Sequence, residues 1–141
     1  MLPIGKGDDS SIPVYFQSGE VTCVSMGNPH CVVFVPSVDD VDLEKVGPLF
    51  DKNEAFPEGT NTEFVEIINR NEVKMSVWER GAGPTLACGT GACALVVAGY
   101  INDKNDKEVK VHLPGGDLDI KVQPEGDEYR IFMTGAADVV F

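Results

Sequence analysis

The sequence predicts an α+β domain of mostly antiparallel strands curled around one central buried helix, and three features carry that expectation. The stretch from Thr90 to Ile101 is apolar on every helical face, so it must be surrounded by structure rather than rest on it. Val109, Val111 and Leu113, then Leu118, Ile120 and Val122, alternate with polar residues as half-buried strands do. Thr62 to Ile68 and Glu72 to Trp78 pair naturally as a hairpin across Asn69-Arg70-Asn71. A chain of 141 residues, 43% of them apolar, fits one domain with a sizeable core.

The remaining elements follow in chain order. Residues 1–13 are polar and glycine-rich and read as a loop or linker, with the domain proper over 14–141. Val14 to Phe16 and Glu20 to Met26 read as short strands joined at Ser18-Gly19. Gly27-Asn28-Pro29-His30 interrupts as a turn, and Cys31 to Val35 resumes as a buried strand before Pro36. Asp40 to Lys52 places Leu43, Val46, Leu49 and Phe50 at helical spacing, but Gly47-Pro48 predicts a short or bent helix. Pro114-Gly115-Gly116 turns the chain between the two alternating strands, and Tyr129 to Met133 and Asp138 to Phe141 read as final strands.

A formal charge of -12 disfavours nucleic acid and anionic membrane as partners, because both need basic patches. No run is long enough to span a bilayer, and the opening residues show no signal-peptide pattern. The cysteines at 23, 31, 88 and 93 have neither zinc-site nor disulfide-framework spacing, so no metal is expected. A reduced, cytoplasmic protein is the expectation.

Chemistry concentrates around Cys88. Glu79-Arg80-Gly81-Ala82-Gly83 precedes it, and Gly89-Thr90-Gly91 opens the apolar helix directly after it. The first N–H groups of a helix lack intrahelical partners, and the aligned peptide dipoles make that end partly positive. A thiolate is stabilised there, so Cys88 should be more acidic than an ordinary cysteine. The N–H groups of residues 89–91 make a ready cradle for a carboxylate. A merely space-filling cysteine would not need Gly-x-Gly after it, which costs backbone entropy at a helix start.

Three short elements, Met26-Gly27-Asn28-Pro29-His30, Gly59-Thr60-Asn61 and Glu79-Arg80-Gly81-Ala82-Gly83 with Ala87-Cys88-Gly89-Thr90-Gly91-Ala92, together resemble the C-terminal half of the diaminopimelate epimerases. The resemblance covers the chain from about Tyr15 to Phe141 and implies one half of that family's fold. It further implies a cofactor-independent, two-cysteine isomerase that interconverts LL- and meso-diaminopimelate in lysine biosynthesis. Inverting an α-carbon needs a base on one face and an acid on the other, and thiols tuned to neutrality suit both roles. By this resemblance Cys88 is one catalytic thiol, and His30 and Glu79 tune thiol acidity. Asn28, Asn61, Glu79, Arg80, Gly89 and Thr90 match substrate contacts, while Cys23, Cys31 and Cys93 match no catalytic position.

The family's N-terminal half carries a second cysteine in a Cys-Gly-Asn-Gly-like segment, which has no counterpart here. The resemblance therefore implies that this chain needs that half as a partner, and that its uncovered face could pair isolated chains as a homodimer. Two competing readings are a proline racemase-like or phenazine-biosynthesis-type isomerase, and a non-catalytic binding domain of the same fold. The sequence yields a direct test. At neutral pH a small alkylating agent should modify Cys88 before the other three cysteines, as followed by peptide mass mapping. An inert Cys88 beside a fast Cys23 or Cys31 would sink the assignment.

Overall fold

Helix α2 (Gly89–Ile101) is the element around which the chain closes. The computed structural model describes residues 5–6, 21–25, 29–51, 59–81, 83–85, 89–126 and 128–135. Every α2 residue from Gly91 to Gly99 is buried. With no polar stripe to leave in water, the helix is enclosed by the sheet. Its glycines and alanines keep its girth small enough for strands to approach.

Among the described residues the sheet has nine strands: β1 (Gly5–Lys6), β2 (Val21–Ser25), β3 (Pro29–Phe34), β4 (Asn61–Asn69), β5 (Glu72–Glu79), β6 (Gly83–Thr85), β7 (Glu108–Leu113), β8 (Gly116–Glu125) and β9 (Glu128–Gly135). They lie in the order β1-β2-β3-β4-β5-β7-β8-β9, with β6 also on β5. Among these strands, only β3 with β4 and β5 with β7 run parallel. Each of those steps is bridged by a helix, as parallel neighbours require. Helix α1 (Leu43–Asp51), preceded by a 3-10 turn at Val38–Asp40, joins β3 to β4, and α2 joins β5 to β7. The expected α+β class, largely antiparallel around a buried helix, is what forms.

Two apolar clusters occupy opposite faces of the sheet. The inner one joins α2 to Val24, Val32, Val65, Val73, Met75, Val77, Val109, Val111, Leu118, Ile120 and Val122. The outer one sets Cys31, Val33 and Phe64 against Val38 and Phe50, with the Phe50 and Phe64 rings edge to face at 5.9 Å. Strands β3 and β4 therefore lose water on both faces: residues 30–33 and 61–65 are buried without alternation, the apolar residues 31–33 of β3 and the polar Asn61, Thr62 and Glu63 of β4 included.

Helix α1 is shorter than the expected Asp40–Lys52 and tolerates Pro48 inside it. Gly47 is dictated by packing: a Cβ there would lie 2.2 Å from Cδ2 of Trp78, whose indole rests on the helix. Gly99 plays the same part at the far end of α2. Its Cβ would overlap Asn105 Oδ1, and its carbonyl accepts the N–H groups of Lys104 and Asn105 at 2.7 and 3.3 Å. Two further differences concern small strands. The glycine loop after Arg80 holds β6, paired with the end of β5, and Gly5–Lys6 pair with Thr22 and Cys23. The expected strands Val14 to Phe16 and Asp138 to Phe141 lie outside the described residues.

His112 ties three strands together. From β7 its Nδ1 meets Asp117 Oδ1 of β8 at 2.8 Å, and its Nε2 meets Glu72 Oε2 of β5 at 2.6 Å. The hydrogen bonds to Glu72 and then Asp117 push the His112 pKa up from its ordinary value, and His112 holds Glu72 low. A raised imidazole pKa contributes stability fully present below the unfolded value, about 6.5, and lost as pH rises through the folded value. Thermal melts should therefore show His112→Gln a few degrees less stable near about pH 6, with the gap narrowing only as pH rises through the raised folded value. A gap independent of pH would contradict the charged clamp.

Candidate active site

The starts of β3 and β4 and the end of β5 meet at one end of the sheet. In the parallel register His30 lies opposite Asn61 and Val32 opposite Glu63. Alternation from Val32 and Val65 turns His30 and Glu63 toward the inner, α2-side face. There Nδ1 of His30 sits 3.0 and 3.1 Å from the two carboxylate oxygens of Glu63. His30 is 1% exposed and Glu63 0%. Burial pushes the Glu63 carboxyl up, the hydrogen bond and charge of His30 pull it down, and the charge of Glu79 pushes it up again. Glu79, the last residue of β5, is thus within electrostatic reach of the pair.

Asn61 closes the second link. Its Oδ1 accepts the Arg80 backbone N–H at 2.7 Å, tying the first residue of β4 to the turn after β5. Gly59 (φ +81°) delivers the chain into β4 with Thr60 Oγ1 donating to the Asn61 carbonyl, and Gly81 (φ +75°) turns it from β5 toward β6. A positive φ at both positions is what their glycines supply. The Asn61 amide is thereby buried and directed, while Arg80 is exposed.

Helix α2 begins at this same end. Strand β6 pairs Gly83 with Glu79 and Thr85 with Val77, and only residues 86–88 separate it from Gly89. Four residue steps from Thr85 to Gly89 reach about 14 Å at most, which tethers the first turn of α2 to the last residues of β5. Gly89 is buried there and Thr90 exposed. Among the predicted residues, His30, Asn61, Glu79, Arg80, Gly89 and Thr90 are thus drawn toward one region. Cys88 and Asn28 lie outside the described residues, immediately before Gly89 and Pro29 in the chain.

His30 differs from its expected place: it stands in β3, not in a turn, because it pairs with Val24 on one side and Asn61 on the other. Glu63 is a residue that sequence reasoning passed over. Its signal was a carboxylate on the inward face of a strand otherwise filled by Phe64 and Val65. Cys23 and Cys31 lie directly opposite across β2 and β3. The hydrogen bond that the Cys31 thiol donates to Cys23, then burial and the charges of Cys23 and Glu63, push the Cys31 thiol well up, which suppresses its nucleophilicity. Cys93 is buried with Sγ 3.8 Å from Met133 Sδ. Among the described residues no group of three or more His, Cys, Asp or Glu could hold a metal ion. No helix there is long and apolar enough to cross a membrane.

The curled sheet around a buried helix is the architecture of the phenazine-biosynthesis proteins of the PhzF family. The protein from Bacillus anthracis superposes with a TM-score of 0.58 at 20% identity, over 77% of this chain and 35% of that one. One from Enterococcus faecalis gives 0.52 at 12% identity, over 72% and 36%. Likeness at that identity establishes the fold class. Sequence narrows it: the family model described as diaminopimelate epimerase matches residues 22–140. Diaminopimelate epimerases of Trichodesmium erythraeum and Agathobacter rectalis are 55% and 56% identical, each over 94% of this chain. That of Synechocystis is 50% identical over 100%. The chain belongs to the diaminopimelate epimerase family. It spans about half the length of these curated relatives, at 47%, 46% and 50%.

Proposed function

We propose that the chain forms the C-terminal half of a cofactor-independent epimerase that interconverts LL- and meso-diaminopimelate, for lysine biosynthesis in a reducing cytoplasm. One observation carries the reading: a buried imidazole and an oriented asparagine, both in family motifs, lie at the end of the sheet where the Gly-Thr-Gly helix starts. Such an end offers backbone donors and a favourable dipole to a substrate carboxylate.

In this scheme Cys88, at the mouth of α2, is one of two opposed thiols. As thiolate it removes the α-proton; the partner half's thiol delivers a proton to the opposite face, inverting the centre. In the reverse direction the two exchange roles. Developing charge on the carboxylate is met by the N–H groups of Gly89 and Thr90. The Arg80 guanidinium suits a second carboxylate and Glu79 an ammonium group. Asn28 and Asn61 orient the substrate, with the Asn61 amide nitrogen set by the bond its oxygen accepts from Arg80. His30 and Glu79 adjust the acidity of the thiols.

The reading predicts α-proton exchange in deuterated water with the complete enzyme and diaminopimelate. Cys88→Ala should lower the rate roughly 10³-fold or more while leaving the circular dichroism spectrum unchanged. The 141-residue chain by itself should be inert and regain activity when the N-terminal half is added. Full turnover by the chain alone, or by the Cys88→Ala enzyme, would reject the two-thiol scheme.

A further inference from the structure

We infer that Glu63 is a positioning residue for His30: it holds the proton on Nδ1 and so assigns Nε2 to the thiol chemistry. The reaction it serves is the epimerisation proposed above; the geometry of the pair stands apart from that reading.

Both oxygens of Glu63 lie almost equally far, 3.1 and 3.0 Å, from one ring nitrogen. A carboxylic acid has one hydroxyl and one carbonyl oxygen, and a ring nitrogen accepting from it would close on the hydroxyl alone. Near-equal distances suit an Nδ1–H shared between two carboxylate oxygens. A neutral imidazole carries a single proton, so an Nδ1–H makes Nε2 the acceptor, the form needed to take a proton from a thiol.

The pair is placed with little freedom. His30 is held on β3 and Glu63 on β4, neighbouring strands locked by the register from His30–Asn61 to Phe34–Val65. Both side chains are excluded from water. Such burial is a poor way to gain stability, because stripping two ionisable groups of water costs about what their attraction returns. A strand interior beside Phe64 would accept an apolar residue more readily. What the carboxylate supplies instead is a defined tautomer and ring orientation.

Among the described residues, the following groups act on the pair or feel its charge. Glu79 acts on Glu63 from β5, and Cys31 feels the Glu63 charge from within β3 with Cys23 beside it on β2. Helix α2 contributes no charged side chain. Burial and Glu79 oppose ionisation of Glu63, whereas the His30 contact favours it. On balance the Glu63 carboxyl is pushed above its ordinary value, burial outweighing His30; the His30 contact favours its ionised form, and the near-equal distances to both oxygens are those of a carboxylate holding the proton on Nδ1.

The test compares parent, Glu63→Gln and Glu63→Asp in the complete enzyme, with histidine ¹⁵N spectra recorded alongside kinetics and His30 assigned by its loss in His30→Gln. The parent should show the Nδ1–H tautomer, and Glu63→Gln a mixture, since an amide can donate to Nδ1 as readily as accept from it. In Glu63→Gln, kcat for diaminopimelate should fall roughly 10- to 100-fold with KM changed by less than about threefold. The pH profile of kcat should shift with it. Glu63→Asp, which keeps a carboxylate, should recover most of the rate, a rescue that a packing defect would not show. An unchanged tautomer in Glu63→Gln, or a kcat within about twofold of the parent, overturns the assignment. A parent inert toward diaminopimelate refutes the epimerase reading, and the tautomer comparison then decides the role of Glu63 by itself.

Discussion

The burial of α2 is the constraint from which the rest of the architecture follows. Leu95, Val96 and Val97 are fully buried on different sides of one helix, and each contributes roughly 1.5 to 3 kcal/mol if its exposure is the alternative. No flat sheet can cover all those sides. The strands from β2 to β9 therefore curl, and the residues they direct inward are mostly Val, Leu and Ile. Gly99 and Asn105 close the far end, where a side chain on Gly99 would displace the asparagine that donates to the Val96 carbonyl.

Enclosure fixes the helix along its axis, and that matters at its first turn. Strand β6, clamped to the end of β5, delivers α2 to the end of the sheet where β3 and β4 begin. Chemistry-bearing residues at that end are attached to strands rather than to long loops: His30 and Glu63 to β3 and β4, Glu79 to β5, Asn61 through its bond to the Arg80 backbone. For the proposed epimerisation, such rigid attachment would keep acid, base and anion donors within the small tolerances that proton transfer to carbon demands. The fold thus spends its least soluble element on holding one helix terminus in place.

Much of this was legible in the sequence, for reasons that differ by element. The β4–β5 hairpin and the β7–β8 pair declare themselves because their contacts are local and one face of each alternates. Helix α2 declares itself because nothing else accommodates thirteen residues without a charge. The parallel pairings of β3 with β4 and β5 with β7 left no such trace, since they join strands far apart in sequence. Strand β6 was hidden by Gly83-Pro84, which reads as loop; it forms because β5 offers an open edge there. Asn61 and His30 could be named from motifs, yet their register opposite each other could not. Glu63 was missed because a carboxylate in a strand ordinarily faces water, and only the inward partner His30 explains its burial.

The central proposal is that a substrate carboxylate binds at the start of α2, and a crystal structure of the complete protein with a diaminopimelate analogue tests it most directly. The account predicts an α-carboxylate at residues 89–91, with oxygen atoms roughly 2.7 to 3.2 Å from backbone N–H groups. Asn61 and Arg80 should lie against the same ligand, with Cys88 facing its α-carbon. An analogue bound elsewhere, with those N–H groups satisfied by the protein's own side chains, would contradict it.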